Sequence, residues 1–221
     1  MKKIIFLCLF LSLSLFAVAQ DSNVKIALRL APNLSFTGVT PEAGGYYDGS
    51  ESAGTGFKIA FGPSFDFFFQ ENYAFSTGLW YNVKSSNVRF VQNPTAPEPQ
   101  STVESKYNLQ YVTIPATIKL FTNEVADDLR IYFQVGGTID IKLSEKNKNN
   151  VVFGTKPLYK PVNIGPYLGI GAELVISEAN IAFAGLNYSR GILQTLTNNI
   201  EFDDNIKTQT SQFALEFGLK F

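Results

Sequence analysis

The chain has 221 residues and a mass of 24.4 kDa, with 18 basic and 19 acidic side chains, a size that allows one domain or two small ones. A net charge of -1 and a pI near 5.6 lack the basic excess of a general nucleic-acid binder. Histidine is absent and Cys8 is the only cysteine, which excludes Ser-His-Asp and Cys-His catalytic sites and His/Cys zinc sites. Hydrophobic residues make up 45% and aromatics 14%, while charged residues are only 17%, below the roughly 25% of an ordinary soluble domain.

Met1-Lys2-Lys3 is a short basic start, and Ile4 to Phe16 is an apolar run broken by little besides Ser12, Ser14 and Cys8. Ala17-Val18-Ala19 then supplies a small-x-small cleavage pattern, so residues 1-19 read as a secretory signal peptide and the mature chain is expected to begin at Gln20. The run is shorter than the roughly 20 residues a spanning helix needs. Cys8 sits too early for a lipoprotein signal and leaves with the leader, so no disulfide framework is expected.

From there to the C-terminus the apolar residues recur with period two, which predicts strands with one apolar face. Val24, Ile26, Leu28 and Leu30 oppose Lys25, Ala27, Arg29 and Ala31. Phe57, Ile59, Phe61, Phe65, Phe67 and Phe69 oppose Lys58, Ala60, Gly62, Ser64 and Asp66. The alternation continues through Phe75 to Val83, Val112 to Leu120, Leu129 to Leu143 and Ile164 to Ile176. The next segment is less regular: Leu186 and Tyr188 fit one register, Ile181 and Phe183 the other, and a bulge is expected. The last strand is the clearest, with Phe213, Leu215, Phe217, Leu219 and Phe221 on one face. Eight strands follow, over 23-35, 56-69, 73-92, 106-121, 129-145, 161-177, 180-196 and 205-221. Their connections alternate between short turns (70-72, 122-128, 177-179) and mostly longer loops (36-55, 93-105, 146-160, 197-204), as in an outer-membrane barrel. Three prolines in 94-99 exclude that stretch from any strand.

A soluble barrel would also alternate, but its polar face would meet water with bulky side chains. Here that face carries Ala31, Ala60, Gly62, Ser64, Ser76, Gly78, Gly136, Gly165, Gly169, Gly171, Ala214 and Gly218. Small residues there leave room in a narrow lumen, and the Phe, Leu and Ile face suits lipid. Tyr73, Tyr81, Tyr188 and Phe221 are expected in aromatic girdles. In lipid every backbone polar group needs a partner, which strands achieve only by closing. The fold expected is all-β: an eight-stranded antiparallel up-and-down transmembrane β-barrel of residues 20-221, preceded by a cleaved signal peptide.

The segment Gln212 to Phe221 resembles the C-terminal assembly signal of bacterial outer-membrane barrels, which ends in an aromatic residue. The runs Gly78-Leu79-Trp80-Tyr81, Tyr111-Val112-Thr113-Ile114-Pro115-Ala116-Thr117-Ile118-Lys119, Tyr167 to Glu173 and Asn187-Tyr188-Ser189-Arg190-Gly191 resemble, in order and spacing, the PorT-like outer-membrane β-barrel family of Bacteroidota. Thr113 stands where that family usually carries an acidic residue. The resemblance implies an outer-membrane location and recognition of Phe221 by the barrel-assembly machinery. It implies no activity, although a secretion or envelope-assembly role would be in keeping with it.

Lys25, Arg29, Lys58, Asp66, Lys84, Lys119, Arg130, Asp140, Lys142, Glu173, Glu216 and Lys220 fall on the polar face, where mutual pairing is the expected arrangement. A charge-selective channel is the alternative, but eight strands leave room only for side chains. A carboxylate-dependent enzyme using Asp66 and Glu173 is a further alternative, although nothing in the spacing brings them together. Asp48 to Glu51 and Asp203-Asp204-Asn205 offer oxygen ligands for calcium without a defined loop pattern, and read as turns. Gly165 to Gly171 lies within a strand and is no phosphate loop. No catalytic residue, cofactor or metal site is therefore expected. The expected partners are outer-membrane lipid, the assembly machinery, and a protein or glycan at loops 36-55 and 93-105, which carry Tyr46, Tyr47, Pro94, Pro97 and Pro99. The long loops are expected outside the cell and the short turns in the periplasm.

Overall fold

The computed structural model describes residues 23–41, 48–91, 102–148, 159–193 and 207–221. The expected leader and Gln20, the loop residues Tyr46, Tyr47, Pro94, Pro97 and Pro99, and Asp203-Asp204-Asn205 lie outside the described residues. Strand segments β1 (Val24–Thr40), β2 (Glu51–Ser52), β3 (Thr55–Gln70), β4 (Tyr73–Gly78), β5 (Trp80–Val91), β6 (Thr102–Phe121), β7 (Leu129–Asn147), β8 (Val162–Ser177), β9 (Asn180–Arg190) and β10 (Lys207–Lys220) form one antiparallel sheet. β1 pairs with both β3 and β10, which closes it.

Two of the breaks are local. β2 continues the line of β3 across Gly54, whose φ of 100° suits glycine, and both segments pair with β5. β4 and β5 are one strand interrupted at Leu79. Leu79 N-H donates to the Pro63 carbonyl at 3.0 Å, but Pro63 has no N-H to complete the pair. Gly62 permits this close approach, since a Cβ there would sit 2.2 Å from the Leu79 carbonyl oxygen. With those interruptions joined, eight strands run up and down around the ring.

The expected strand positions hold, and several ends differ. β1 continues to Thr40, β6 begins at Thr102 and β7 runs to Asn147, so the segments expected as loops 36-55 and 93-105 are strand at their edges. The outward face explains this. On β5 and β6 it changes from Tyr81, Val83 and Val112 to Asn87, Arg89, Glu104 and Lys106, so the hairpin rises beyond the apolar belt with its ladder intact to Val91 opposite Thr102. Backbone pairing there needs no lipid, and Arg89 ties the rim, bonding Glu51 and Glu104 at 2.7 Å each. In the other direction, β9 ends at Arg190 rather than 196. The bulge expected within this strand is absent. β9 pairs with β10 in unbroken register and Phe183 turns inward, because Gly218 leaves a gap that its ring fills. The register shift nearby lies instead at Val175/Ser177, beside the turn.

The exterior carries the apolar belt. Leu28, Phe57, Phe61, Phe133, Leu168, Ile170, Leu186 and the series Phe213 to Phe221 are all exposed. One rim bears stacked Phe69–Tyr73 and Phe221, and the other Phe36, Phe213 and Tyr188, with the last two rings 4.7 Å apart. Tyr81 lies on the same outward face beside Phe61. The buried interior is mainly polar, the reverse of a soluble domain.

Candidate functional site: the lumen

Alternation on each strand sends the small and charged residues inward, and closure brings them together. Nearest the short turns, Lys220 Nζ lies 2.6 Å from Asp66 Oδ2 and 2.6 Å from Glu173 Oε1. Asp66 also receives Lys119 at 3.1 Å, and Arg130 stands 3.9 Å from the second oxygen of Glu173. Asp66 and Glu173, which sequence spacing did not bring together, therefore meet across one ammonium. The Lys220 and Lys119 ammoniums also sit over aromatic rings, of Phe121 at 5.4 Å and Tyr132 at 4.9 Å.

Next along the lumen, Arg29 Nε donates to Glu216 at 2.7 Å, and the Tyr132 hydroxyl and Asn187 amide donate to the same carboxylate at 2.7 and 3.2 Å. The Arg29 guanidinium lies 3.8 Å from the Trp80 ring centre, and the indole N-H donates to Ser64. Asn82 and Gln212 exchange amide hydrogen bonds of 3.0 Å across the barrel. Beyond them, Lys84 pairs with Asp140 at 2.6 Å, and the Thr113 hydroxyl donates to the other Asp140 oxygen at 2.5 Å. Thr113 thus contributes a donor, and the carboxylate at this level comes from the neighbouring strand. Between these layers remains a void of about 10 Å³ bordered by Trp80, Asn82, Tyr167 and Gln212, room for about one water molecule.

The long-loop end closes differently. Val88, Phe90, Tyr107, Leu109 and Tyr111 form an apolar cluster with Tyr159, from the segment before β8. Tyr159 donates to Ser86 at 3.1 Å, its N-H donates to Glu145, and its carbonyl accepts from Lys142. Above the belt, hydrogen bonds from Arg89 and Lys106 hold the Glu104 carboxyl below the usual carboxylate range.

Of the twelve charges expected in the lumen, ten are brought into ion pairs. Lys142 pairs with Glu145, which the sequence reading left out. Among the described residues Lys25 and Lys58 have no carboxylate partner; Lys58 faces Lys148. Sequence reasoning also missed the inward aromatics Trp80, Tyr111, Phe121, Tyr167 and Phe183. Parity with Asn82, Thr113, Lys119, Gly169 and Asn187 was the available signal. Tyr159 had none, as it belongs to no long strand. At Asp48 to Glu51, Glu51 is committed to Arg89, and no group of three metal-ligating His, Cys, Asp or Glu side chains occurs among the described residues.

A closed antiparallel sheet with an apolar exterior and an ion-paired interior defines a small transmembrane β-barrel. The chain belongs to the outer membrane protein beta-barrel domain family, whose model matches residues 18–218. OprG from Pseudomonas aeruginosa has the same fold, with 11% identity, 89% of this chain and 95% of that chain covered, and a TM-score of 0.53. The solid-state NMR structure of outer membrane protein AlkL in DMPC bilayers gives 12% identity, 90% and 89% coverage and a TM-score of 0.54. At such identities the likeness concerns the fold alone. No curated protein matches the chain. This is a protein of the bacterial outer membrane.

Proposed function

We propose that this protein is a non-conducting, non-enzymatic barrel with a structural, binding or envelope-assembly role. The observation that carries the reading is the filled lumen, crossed by Arg29–Glu216, Lys84–Asp140 and the Lys220 cluster around a void of about 10 Å³. Planar-bilayer recordings of the purified protein are expected to show no large steady conductance. Porin-like openings of about a nanosiemens would overturn it, since wide pores belong to much larger barrels.

Three finer points belong to the same proposal. The chain is a PorT-like barrel of Bacteroidota, on the runs at Tyr111 to Lys119 and Asn187 to Gly191. Its short turns face the periplasm and its long loops the exterior, as in bacterial barrels generally. It matures at Gln20, and N-terminal mass spectrometry of the membrane fraction tests this; an intact Met1 would refute export through a cleaved leader.

A further inference from the structure

The lower lumen holds two cations beyond those matched closely to its buried carboxylates. Its three buried carboxylates, Asp66, Glu173 and Glu216, are matched by the three buried cations Lys119, Lys220 and Arg29 at 2.6 to 3.1 Å. Lys25 and Arg130 stand outside these close contacts. Among the described residues Lys25 has no ion-pair partner, and Arg130 reaches only the 3.9 Å contact with a Glu173 whose other oxygen Lys220 holds. Both half-buried cations line one open cavity of about 440 Å³ at the short-turn mouth. They come from β1 and β7, strands that are not neighbours in the ring. Phe121 supports the Arg130 guanidinium at 5.1 Å, and Asn23 and Gln70 border the same space with amide groups. Glu71 also borders it and is exposed. A planar guanidinium and a point ammonium facing one cavity are the donor set for a compact oxyanion.

We propose that this vestibule is a binding site for a phosphate group, with Lys25 and Arg130 as its charged ligands. The phosphate comes either from a free anion or from a lipid headgroup, because the cavity opens at the rim where the barrel meets the membrane interface. Bound there, the phosphate is held between the Lys25 ammonium and the Arg130 guanidinium, and both must engage it because the exposed Glu71 carboxylate borders the same cavity.

The test uses the full barrel in a phosphate-free glycoside detergent. Inorganic phosphate is titrated calorimetrically into the wild type, a Lys25→Gln/Arg130→Gln double variant and a Lys58→Gln control from the opposite end. In a second arm phosphatidylglycerol is added and retained lipid is counted by native mass spectrometry. Heat-modifiable mobility verifies that each variant is folded, and Lys25→Arg, which keeps the charge, is expected to retain binding. Saturable phosphate binding that weakens about tenfold or more in the double variant but not in the control supports a free anion. Lipid retention lost in the double variant, without binding of free phosphate, supports a headgroup. Absence of both, or equal binding by the double variant, overturns the site.

Discussion

Lys220 is the residue on which most of the lumen converges, since it bonds carboxylates from β3 and β8 while sitting on the strand that closes the ring. Its removal leaves two buried carboxylates short of a cation, and a broken buried pair costs more than the intact pair contributes. Lys220→Met is therefore expected to destabilise the barrel by about 3 kcal/mol, read from the urea unfolding midpoint in micelles, because Asp66 keeps Lys119 and Glu173 keeps only the distant Arg130. Adding Glu173→Gln should restore part of the loss, as coupled neighbours do in a double-mutant cycle. Equal midpoints for wild type and Lys220→Met would show that the cluster is solvated. The face of each charged residue was legible in the sequence, because parity alone decides it. Which cation meets which anion was not, because pairing depends on the stagger of strands around the ring: Asp66 and Glu173 lie far apart in sequence, and only closure brings both to Lys220. Glycine placement shows the same limit. A Cβ at Gly171 would lie 2.4 Å from Tyr132, and one at Gly185 2.5 Å from its hydroxyl, so these glycines make room for one ring that sequence pattern could not locate.

At the scale of elements, the apolar alternation located all eight strands but not their outer ends. The alternation reports lipid contact, whereas the ladder of β5 and β6 persists to Val91 opposite Thr102 on backbone bonds and rim charges. That tip gives a pH prediction. Glu104 is held below the ordinary carboxylate range by hydrogen bonds from Arg89 and Lys106. A lowered folded-state value means that its contribution is present above the unfolded carboxylate pKa and is lost as pH falls through the folded one. Because the Glu104 side chain is 35% exposed, solvent screens it and the effect is expected to stay local. Amide hydrogen exchange, corrected for intrinsic rate, should show Asn87 to Val91 losing protection as the solution is acidified through that range, with the belt strands unchanged. Uniform loss along β5 would place the sensitivity in the lumen instead. Leu79 marks the other place where pattern fell short: the sequence predicts an unbroken strand over 73-92, and the break follows from the missing N-H of Pro63 on the facing strand.

For the whole molecule, closure is the step that removes both sheet edges, and it is made by β1 against β10 from Ala27–Lys220 to Thr40–Lys207. Phe221 lies just past β10 and extends the seam, its N-H donating to the Ile26 carbonyl at 2.7 Å and its carbonyl accepting from Ile26 at 3.2 Å. Its ring is outward at the short-turn rim, continuing the series from Phe213. The backbone clamp and the outward ring of Phe221 separate experimentally. Deleting Phe221 removes both. Phe221→Asp keeps the peptide unit, and the cost of a carboxylate near the interface is small, on the order of 0–1 kcal/mol. If the aromatic is read by the assembly machinery, both variants should yield far less membrane-inserted, heat-modifiable protein than wild type or a Pro97→Ala control. The Phe221→Asp protein that does insert should unfold close to the wild-type midpoint, and the deletion somewhat below it through the lost Ile26 bonds. Equal yields from all four proteins would show that the terminal ring carries no assembly information. A reduced yield in the deletion alone would assign the whole effect to the backbone clamp at the seam.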